Sequence, residues 1–458
     1  METDGAKCMC ARSYVEVEGK MFNDAIHGSI SIHPLCVQII DTPQFQRLRF
    51  LKMVGSCYFV FPAAAHNRFE HSLGVCYLAG KLVRAIQSRQ PELNINSEDV
   101  LSVEVAGLCH DLGHGPFSHL WEEFVEMSPR KEKWTHEEAS EKMFDYLIEA
   151  NNLSEYFNKY DLDIQFIKKL ICGLTESERQ KNEKAFLYEI VANKRTGVDV
   201  DKWDYFLRDG HNLGIRVKFD YHRLVKYSRV IQVDGEWQIC MRDKECNNLY
   251  DMFHARETLH RTAYQHRVVK IIDSITNYAL RNVCDDMSAY TNLIDDIFHR
   301  ILLAKGDHPD LVKAKEILEN ILKRRLYIYV GQTEPNDEIS QEKLLDTISS
   351  NIPEESSLER EELGIQKVRF NYGLGEKNPI EYIRFYSKNS PNEARKIQEE
   401  EISSMLPQRF QERRFRLIYK SNKEKDFNDA QKAFKNACKQ LNMNAPSLAD
   451  FPIHLQSS

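Results

Sequence analysis

Apolar positions along this chain recur mainly at the spacing of half-buried helices. Leu101, Val105, Leu108 and Leu112 follow i, i+4, i+7 and i+11, the period of a helix packing one stripe against a core. Asn96 and Ser97 offer it a cap, and Glu98 and Asp99 put negative charge in its first turn, where the helix dipole favours it. Leu73, Val75, Tyr77, Leu78, Leu82 and Val83 predict a second buried helix running to Ile86. Helical spacing resumes at Trp134-Thr135-His136-Glu137-Glu138, persists through Leu174 and continues over Phe186 to Val191, and a long helix is expected from Leu249 to Leu280. Asp41-Thr42-Pro43 reads as a capped helix start with proline in the first turn. On pattern alone the polar string Asp41 to Arg49 fits a surface helix. Val230, Val233, Trp237 and Ile239 alternate loosely around Asp234-Gly235, a hairpin signal. A helix pair ending in Lys323-Arg324-Arg325 follows. The pattern predicts a mainly α fold with a smaller α+β C-terminal lobe. Its parts would be a loose N-terminus at 1–18, a helical core at 19–330, a linker or exposed loop at 331–363 and the lobe at 364–458.

Composition narrows the class. The 458 residues exceed one minimal core and suggest about two or three domains. A hydrophobic content of 42% is that of a globular protein rather than a disordered one. The longest apolar runs, such as Cys57 to Ala65, fall far short of the ~18 residues that cross a bilayer, so no membrane partner is expected. The N-terminus carries acids and no apolar segment, so no signal peptide is expected. The eleven cysteines are scattered, and Cys8-x-Cys10 has the wrong spacing for a zinc knuckle. They read as reduced thiols of an intracellular protein, cytoplasmic or nuclear. A net charge of −7 argues against coating polyanions at large but leaves room for local basic pockets. There is no internal repeat and no Gly-x-x-x-x-Gly-Lys loop.

Candidate chemistry gathers at Leu108-Cys109-His110-Asp111-Leu112-Gly113-His114-Gly115-Pro116-Phe117-Ser118-His119. The helix should deliver His110 and Asp111 near its C-terminal end, where the glycines and Pro116 break it. Neighbouring side chains on a helix diverge by about 100°, and both can still converge on one metal between them. An imidazole beside a carboxylate suits iron, manganese, magnesium or zinc. His71 opens the earlier helix, with Arg68 one turn before it. A lone histidine there is ordinarily a hydrogen-bonded core group, and its value as a ligand depends on facing His110 and Asp111. His136-Glu137 looks like the start of a zincin motif, but Ser140 occupies the second histidine position and that reading fails. Four aspartates lie within the eleven residues Asp199 to Asp209, and Asp201, Tyr205 and Asp209 share a helix face at i, i+4 and i+8. Asp201 is either a fourth ligand or a capping or surface acid. Arg256, His260 and Tyr264, beside Gln265 and Arg267, make either a ligand wall or an exposed polar face.

His71, His110-Asp111 and Asp201 together form the H…HD…D pattern, and the chain resembles the HD metal-dependent phosphohydrolases. Asp41 to Arg49, His66 to Gly74, Gly107 to His119, Asp199 to Phe206 and Ala263-Tyr264-Gln265-His266 more specifically resemble the vertebrate sterile-alpha-motif/HD-domain dNTP triphosphohydrolases, from about Lys20 to about Lys420. No counterpart of the sterile-alpha-motif domain is expected here. The resemblance implies an HD-domain core that cuts a dNTP into deoxynucleoside and inorganic triphosphate, with a divalent metal on His71, His110, Asp111 and Asp201. It implies that Arg68, Lys202 and Arg256 hold the triphosphate. His114, His119 and His136 would stand by the scissile phosphate as acid or electrostatic groups. Tyr205, Asp209, Tyr264 and Gln265 would line the sugar and base end, with His260 nearby. It further implies a homo-oligomer, dimer to tetramer, under nucleotide control. Lys20, Asp41, Gln46, Arg49 and Arg395 match a GTP or dGTP site. Asn23, Arg223, Arg242, Lys244, Asn248, Arg267 and Lys420 match a second site filled by a dNTP with magnesium.

Three positions depart from that pattern. Met53 stands where the family has a glutamine at the sugar. The segment between Leu280 and Asp286 and the linker before Gln366 are shorter than the family's, changes that bear on assembly and leave the metal site alone. Two rival readings remain at this point: another HD-type nucleotide phosphohydrolase, and a catalytically weak homologue that binds single-stranded nucleic acid.

Overall fold

The structure is a computed structural model and describes residues 19–126, 134–180, 182–279, 290–336, 339–398, 401 and 407–452. The predicted N-terminal tail and the shortened 280–286 segment lie outside the described residues. The described chain opens with a hairpin, β1 (Lys20–Asp24) and β2 (Gly28–Ile32), paired antiparallel with Asp24 opposite Gly28. Helices α1 (Pro34–Ile40) and α2 (Pro43–Gln46) follow. Thr42 caps α2 by accepting from Phe45 N, with Pro43 in the first turn. The string beyond it is not a surface helix. It tightens into a 3-10 turn, Arg47–Phe50, in which Arg47 and Leu48 are buried.

The core is built on the pairing of α3 (Arg68–Arg89) with α4 (Ser97–Cys109). Each starts with a reciprocal cap, Asn67 with Glu70 and Asn96 with Asp99, so two orphan N-terminal donors are satisfied at each end. After α4 the chain turns through the HD string into α5 (His119–Glu126) and then α6 (His136–Ala150), capped by Thr135. Gly113 allows that turn to touch α6, since a Cβ there would lie 2.2 Å from Ser140 N. Three short helices, α7 (Ser154–Lys159), α8 (Ile164–Cys172) and α9 (Glu176–Arg179), lead towards α10 (Val200–Leu213). The expected helix over Phe186 to Val191 is instead a 3-10 turn, Ala185–Glu189. Helix α10 is capped by Asp199 and closed by left-handed Gly214.

A short helix, α11 (Tyr221–Tyr227), precedes the predicted hairpin, β3 (Ser228–Val233) and β4 (Glu236–Arg242). The long helix expected from Leu249 to Leu280 is broken. It comprises α12 (Cys246–Leu259), a wide π-type turn at His260–Tyr264, and α13 (Arg267–Ala279). Gln265 N bonds back to His260 O at 2.8 Å, and wide turns of this kind cluster at functional sites. Helices Ile297–Leu303 and Pro309–Leu322 complete the helical core.

The second lobe is a four-stranded sheet in the order β10-β5-β9-β6, comprising β5 (Ile328–Thr333), β6 (Leu363–Asn371), β9 (Gln411–Tyr419) and β10 (Ser447–Leu448). The 331–363 stretch is therefore no linker. It holds the end of β5 and a helix, Gln341–Ser350, whose Leu344 and Ile348 are buried in the lobe's own core. Its polar composition is that of the helix's solvent face. Nor is 364–458 one unit. After β6 the chain returns to the helical core, burying Ile380, Ile383 and Phe385 there. It adds β7 (Phe385–Tyr386) and β8 (Ala394–Arg395) to the hairpin, giving a sheet in the order β3-β4-β7-β8. Strand β9, helix Glu424–Gln440 and β10 then go back to the lobe. The lobe braces the end of the π-type turn and α13: Arg416 Nη1 donates to Gln265 O at 2.6 Å and Gln366 Nε2 to Lys270 O at 2.8 Å. Among the described residues, no helix is long and apolar enough to cross a membrane.

Candidate active site

Four donors converge at the meeting of α3, α4 and α10. His71 Nε2 lies 3.2 Å from His110 Nε2, 3.5 Å from Asp111 Oδ2 and 3.1 Å from Asp201 Oδ1. His110 Nε2 is 3.4 Å from both Asp111 Oδ1 and Asp201 Oδ1. The other nitrogen of each ring is committed: His71 Nδ1 donates to Asp204 Oδ2 at 2.7 Å and His110 Nδ1 to Gly107 O at 2.9 Å. Two ring nitrogens and two carboxylates thus face one another in a largely buried place, an arrangement that either a shared proton or a bound cation would compensate. Two imidazoles and two carboxylates fit a divalent ion of borderline or hard character. The charges agree. Burial would raise the Asp111 carboxyl, but Arg68, His110 and His114 hold it well below the usual range. Burial opposes protonation of His71, while Asp201 and Asp204 outweigh it and raise its pKa to about 10, so an incoming cation displaces a proton.

A cleft of about 520 Å³ opens over Asp111 and Asp201. It is lined by Arg68, His114, His119, His136, Lys202, Tyr205, Asp209, Arg256, His260, Tyr264 and Gln265, so every expected substrate and catalytic residue shares one space. His114 is buried, with Nε2 3.4 Å from Asp111 Oδ1 and Nδ1 without a partner. Its ring stacks on that of His136 at 4.2 Å. Glu122 joins the other two, accepting from His136 Nδ1 at 2.5 Å and meeting His119 Nδ1 at 3.4 Å. Lys202 Nζ is held 2.8 Å from Asp199 Oδ2, and Arg256 Nη1 donates to Asn371 O at 2.7 Å. The π turn presents Tyr264, whose hydroxyl donates to Asp209 Oδ2, while Asp209 Oδ1 accepts from His66 Nε2 at 2.6 Å. His260 packs edge-on against Tyr264 at 4.9 Å, and burial beside Arg256 and His119 holds its pKa well below the usual range. The side-chain oxygen of Gln265 is buried and unpartnered. Met53 also lines the cleft.

The regulatory candidates divide. Gln46 Oε1 accepts from Arg49 Nε at 2.8 Å, and Arg49 lies over the Phe69 ring at 3.5 Å. Asp41 is exposed at the end of α1, and Lys20 and Asn23 lie on β1. Arg395, on β8, pairs with Glu401. Arg223 and Asn248 share Glu245, and Lys244 and Arg223 both lie over the Tyr227 ring. Arg242 pairs with neighbouring Asp243. Arg267 sits by Tyr329 and Lys420 bonds Glu361 O, both towards the C-terminal lobe.

Several site residues escaped sequence reasoning. Asp204 orients His71, Glu122 links two cleft histidines, and His66 braces Asp209. Half-buried Lys270, paired with Glu123 and Asp273, also lines the cleft. Arg47 supports the HD turn from beneath, donating to His114 O at 2.6 Å and Leu112 O at 3.3 Å. The Asp199–Asp209 aspartate run was the signal for Asp204. Glu122, three residues after His119, was a weaker one.

Residues 68–209 match the HD domain family. The chain is 45% identical to the deoxynucleoside triphosphate triphosphohydrolase SAMHD1 of Danio rerio, over 97% of this chain and 78% of that protein. Identity to the SAMHD1 of Homo sapiens is also 45%, over 94% and 75% of the two chains. The SAMHD1 homolog of Dictyostelium discoideum is 39% identical, over 93% and 82%. With its H…HD…D quartet assembled and these relatives matched along most of their length, the chain belongs to the SAMHD1 family of HD-domain deoxynucleoside triphosphate triphosphohydrolases.

Proposed function

We propose that the protein hydrolyses dNTPs to the deoxynucleoside and inorganic triphosphate, with a divalent metal on His71, His110, Asp111 and Asp201. The observation that carries this reading is the single cleft that brings Asp111 and Asp201 together with Arg68, Lys202, Arg256, His114, His119, His136 and Asp209. When bound, the ion acidifies a water and polarises phosphoryl oxygens. Lys202 and Arg256 neutralise the triphosphate, and Arg68 fixes Asp111. His119 and His136, tied through Glu122, hold a proton where the leaving 5′-oxygen needs it, with His114 stacked behind. Asp209, set by Tyr264 and His66, receives the sugar 3′-hydroxyl. A tyrosine against C2′ excludes a ribose. The unpartnered oxygen of Gln265 offers an acceptor to the base.

On the same reading GTP or dGTP binds at Lys20, Asp41, Gln46, Arg49 and Arg395, where an amide and a carboxylate match guanine's edge. A dNTP with its magnesium binds at Asn23, Arg223, Arg242, Lys244, Asn248, Arg267 and Lys420. The clustering of Arg223, Lys244 and Asn248 around Glu245 and Tyr227 supports the second site. Such nucleotides drive oligomerisation by binding the tetramer better than smaller forms.

The test is product analysis by ion-exchange chromatography after incubation with dATP and Mn2+ or Mg2+, with and without GTP. Deoxyadenosine and intact triphosphate in equal amounts are expected, with GTP accelerating their release. Pyrophosphate or orthophosphate would point to another HD chemistry. No turnover by metal-loaded protein would leave a nucleic-acid-binding protein.

A further inference from the structure

Asp204 takes four hydrogen bonds, and only one comes from a metal ligand. Its Oδ2 accepts from His71 Nδ1 at 2.7 Å and Arg208 Nε at 2.8 Å. Its Oδ1 accepts from Arg208 Nη2 at 2.9 Å and His27 Nε2 at 2.7 Å. A carboxylate offers about four lone-pair positions, so this one is saturated and its plane is fixed from three directions. Gly74 makes the room, since a Cβ there would lie 2.0 Å from Asp204 Oδ1.

His27 lies on no element that carries a ligand. It sits in the turn between β1 and β2, where Asp24 Oδ1 accepts from the backbone N–H groups of Ile26 and His27, each at 2.8 Å. Asp24 Oδ2 pairs with Arg208 Nη2 at 2.9 Å, so the turn grips the same arginine that grips Asp204. The side chains of His27 and Asp204 are both 0% exposed. The Tyr77 and Tyr221 rings stand 5.4 and 5.7 Å from the imidazole. A turn that could have been a solvent-facing connection is instead plugged into the back of the metal site.

We propose that His27 is a positioning residue for the metal centre, coupling the seating of the β1–β2 hairpin to the ring plane of His71 through Asp204. The inference rests on the quartet being a metal site. Coupling of this kind is reciprocal: a firmly seated hairpin tightens the ion, and the ion holds the hairpin in place. Lys20 and Asn23 belong to the first strand of that hairpin, so a ligand gripping them acts on the metal by this route.

The test compares Mn2+ affinity, by chelator competition, among wild type, His27→Ala, His27→Gln and His110→Ala. The melting temperature of each metal-free protein is recorded alongside. Hydrogen exchange over residues 20–32 of the wild type is measured with and without the ion. His27→Ala is expected to bind Mn2+ about tenfold more weakly, the low end of the ~10–100-fold lost with groups that orient a ligating histidine. His27→Gln keeps an N–H donor near the Nε2 position and regains most of that affinity. Metal loading slows exchange at the Ile26 and His27 amides, a readout that does not depend on either variant folding. Wild-type affinity in His27→Ala, or hairpin exchange indifferent to the ion, overturns the proposal. Metal uptake that survives His110→Ala overturns the metal-site reading and the proposal with it.

Discussion

Arg68 donates through Nη1 to Asp111 Oδ2, and the rest of its guanidinium is also committed, Nε to Ser118 Oγ at 2.9 Å and Nη2 to Met53 O at 3.3 Å. A residue expected to hold triphosphate is thus first a clamp on a candidate metal ligand. Ser118 itself adopts a left-handed backbone, φ 60°, next to Phe117 at 59°, strain of the kind found where a turn must aim functional groups. Arg68→Ala is expected to lose metal as well as turnover, with kcat/KM falling about 100-fold. Arg68→Lys restores the charge but not the fork and should recover only part of the loss. Metal content after gel filtration, read beside steady-state rates, checks both.

Glu122 spans His119 and His136, and these histidines rather than the four candidate metal donors are its side-chain partners. Replacing it with Gln removes the charge that keeps a proton on His136, whose pKa burial would lower and Glu122 raises. Glu122→Gln should cut kcat by about 100-fold, the low end of general acid catalysis, while KM and bound metal stay near wild type. A matching fall in metal content would show that the residue acts on the metal site instead.

Tyr264 reaches Asp209 from the π turn, and both line the cleft at the end proposed to hold the sugar. Tyr264→Ala should erode the preference for dATP over ATP by about tenfold or more in the ratio of kcat/KM values, mainly by admitting the ribose. Competition between the two nucleotides in one reaction measures the ratio directly.

His33 gives a pH dependence remote from the chemistry. It caps α1, accepting from Leu35 N through Nδ1 at 3.2 Å, and stacks edge-on with Tyr160 at 5.0 Å. Burial, helped by Arg84, lowers its pKa from 6.5 to about 4. The folded form therefore refuses a proton that the unfolded chain accepts below about pH 6.5. The stabilisation is complete above that pH and is lost as pH falls towards 4. Between pH 7.5 and 5 the melting temperature should fall more steeply for wild type than for His33→Asn, which keeps an acceptor at the cap but does not titrate. Parallel slopes would exclude this histidine as the cause.

The clustering of His71, His110, Asp111 and Asp201 was legible because ligation demands particular residue types, and the breakers around His110-Asp111 say where the helix stops. Asp204, Glu122, His66 and Arg47 were not, although several sit in strings that drew attention. Their roles depend on orientation across elements far apart in sequence. The helical period carried straight through His260 to Tyr264 because one inserted residue barely disturbs an apolar count, yet it turns Tyr264 towards Asp209. Residues 331–363 misled through composition, which weighs the solvent face of Gln341–Ser350 as heavily as Leu344 and Ile348. Strands of two residues, such as β7, have no period to read.

Those two-residue strands also govern what can be cut. Met241 N bonds to Arg384 O at 2.9 Å, and β7 pairs in parallel with β4, after the chain has already built two strands of the other lobe, β5 and β6, and before it builds the remaining two. The lobes are interleaved along the chain rather than consecutive. A truncation near residue 330 would not release a self-sufficient catalytic module but would strip an edge from the core's own sheet. Recombination that exchanged one lobe for a foreign one would carry off part of the other, so the two must be inherited together.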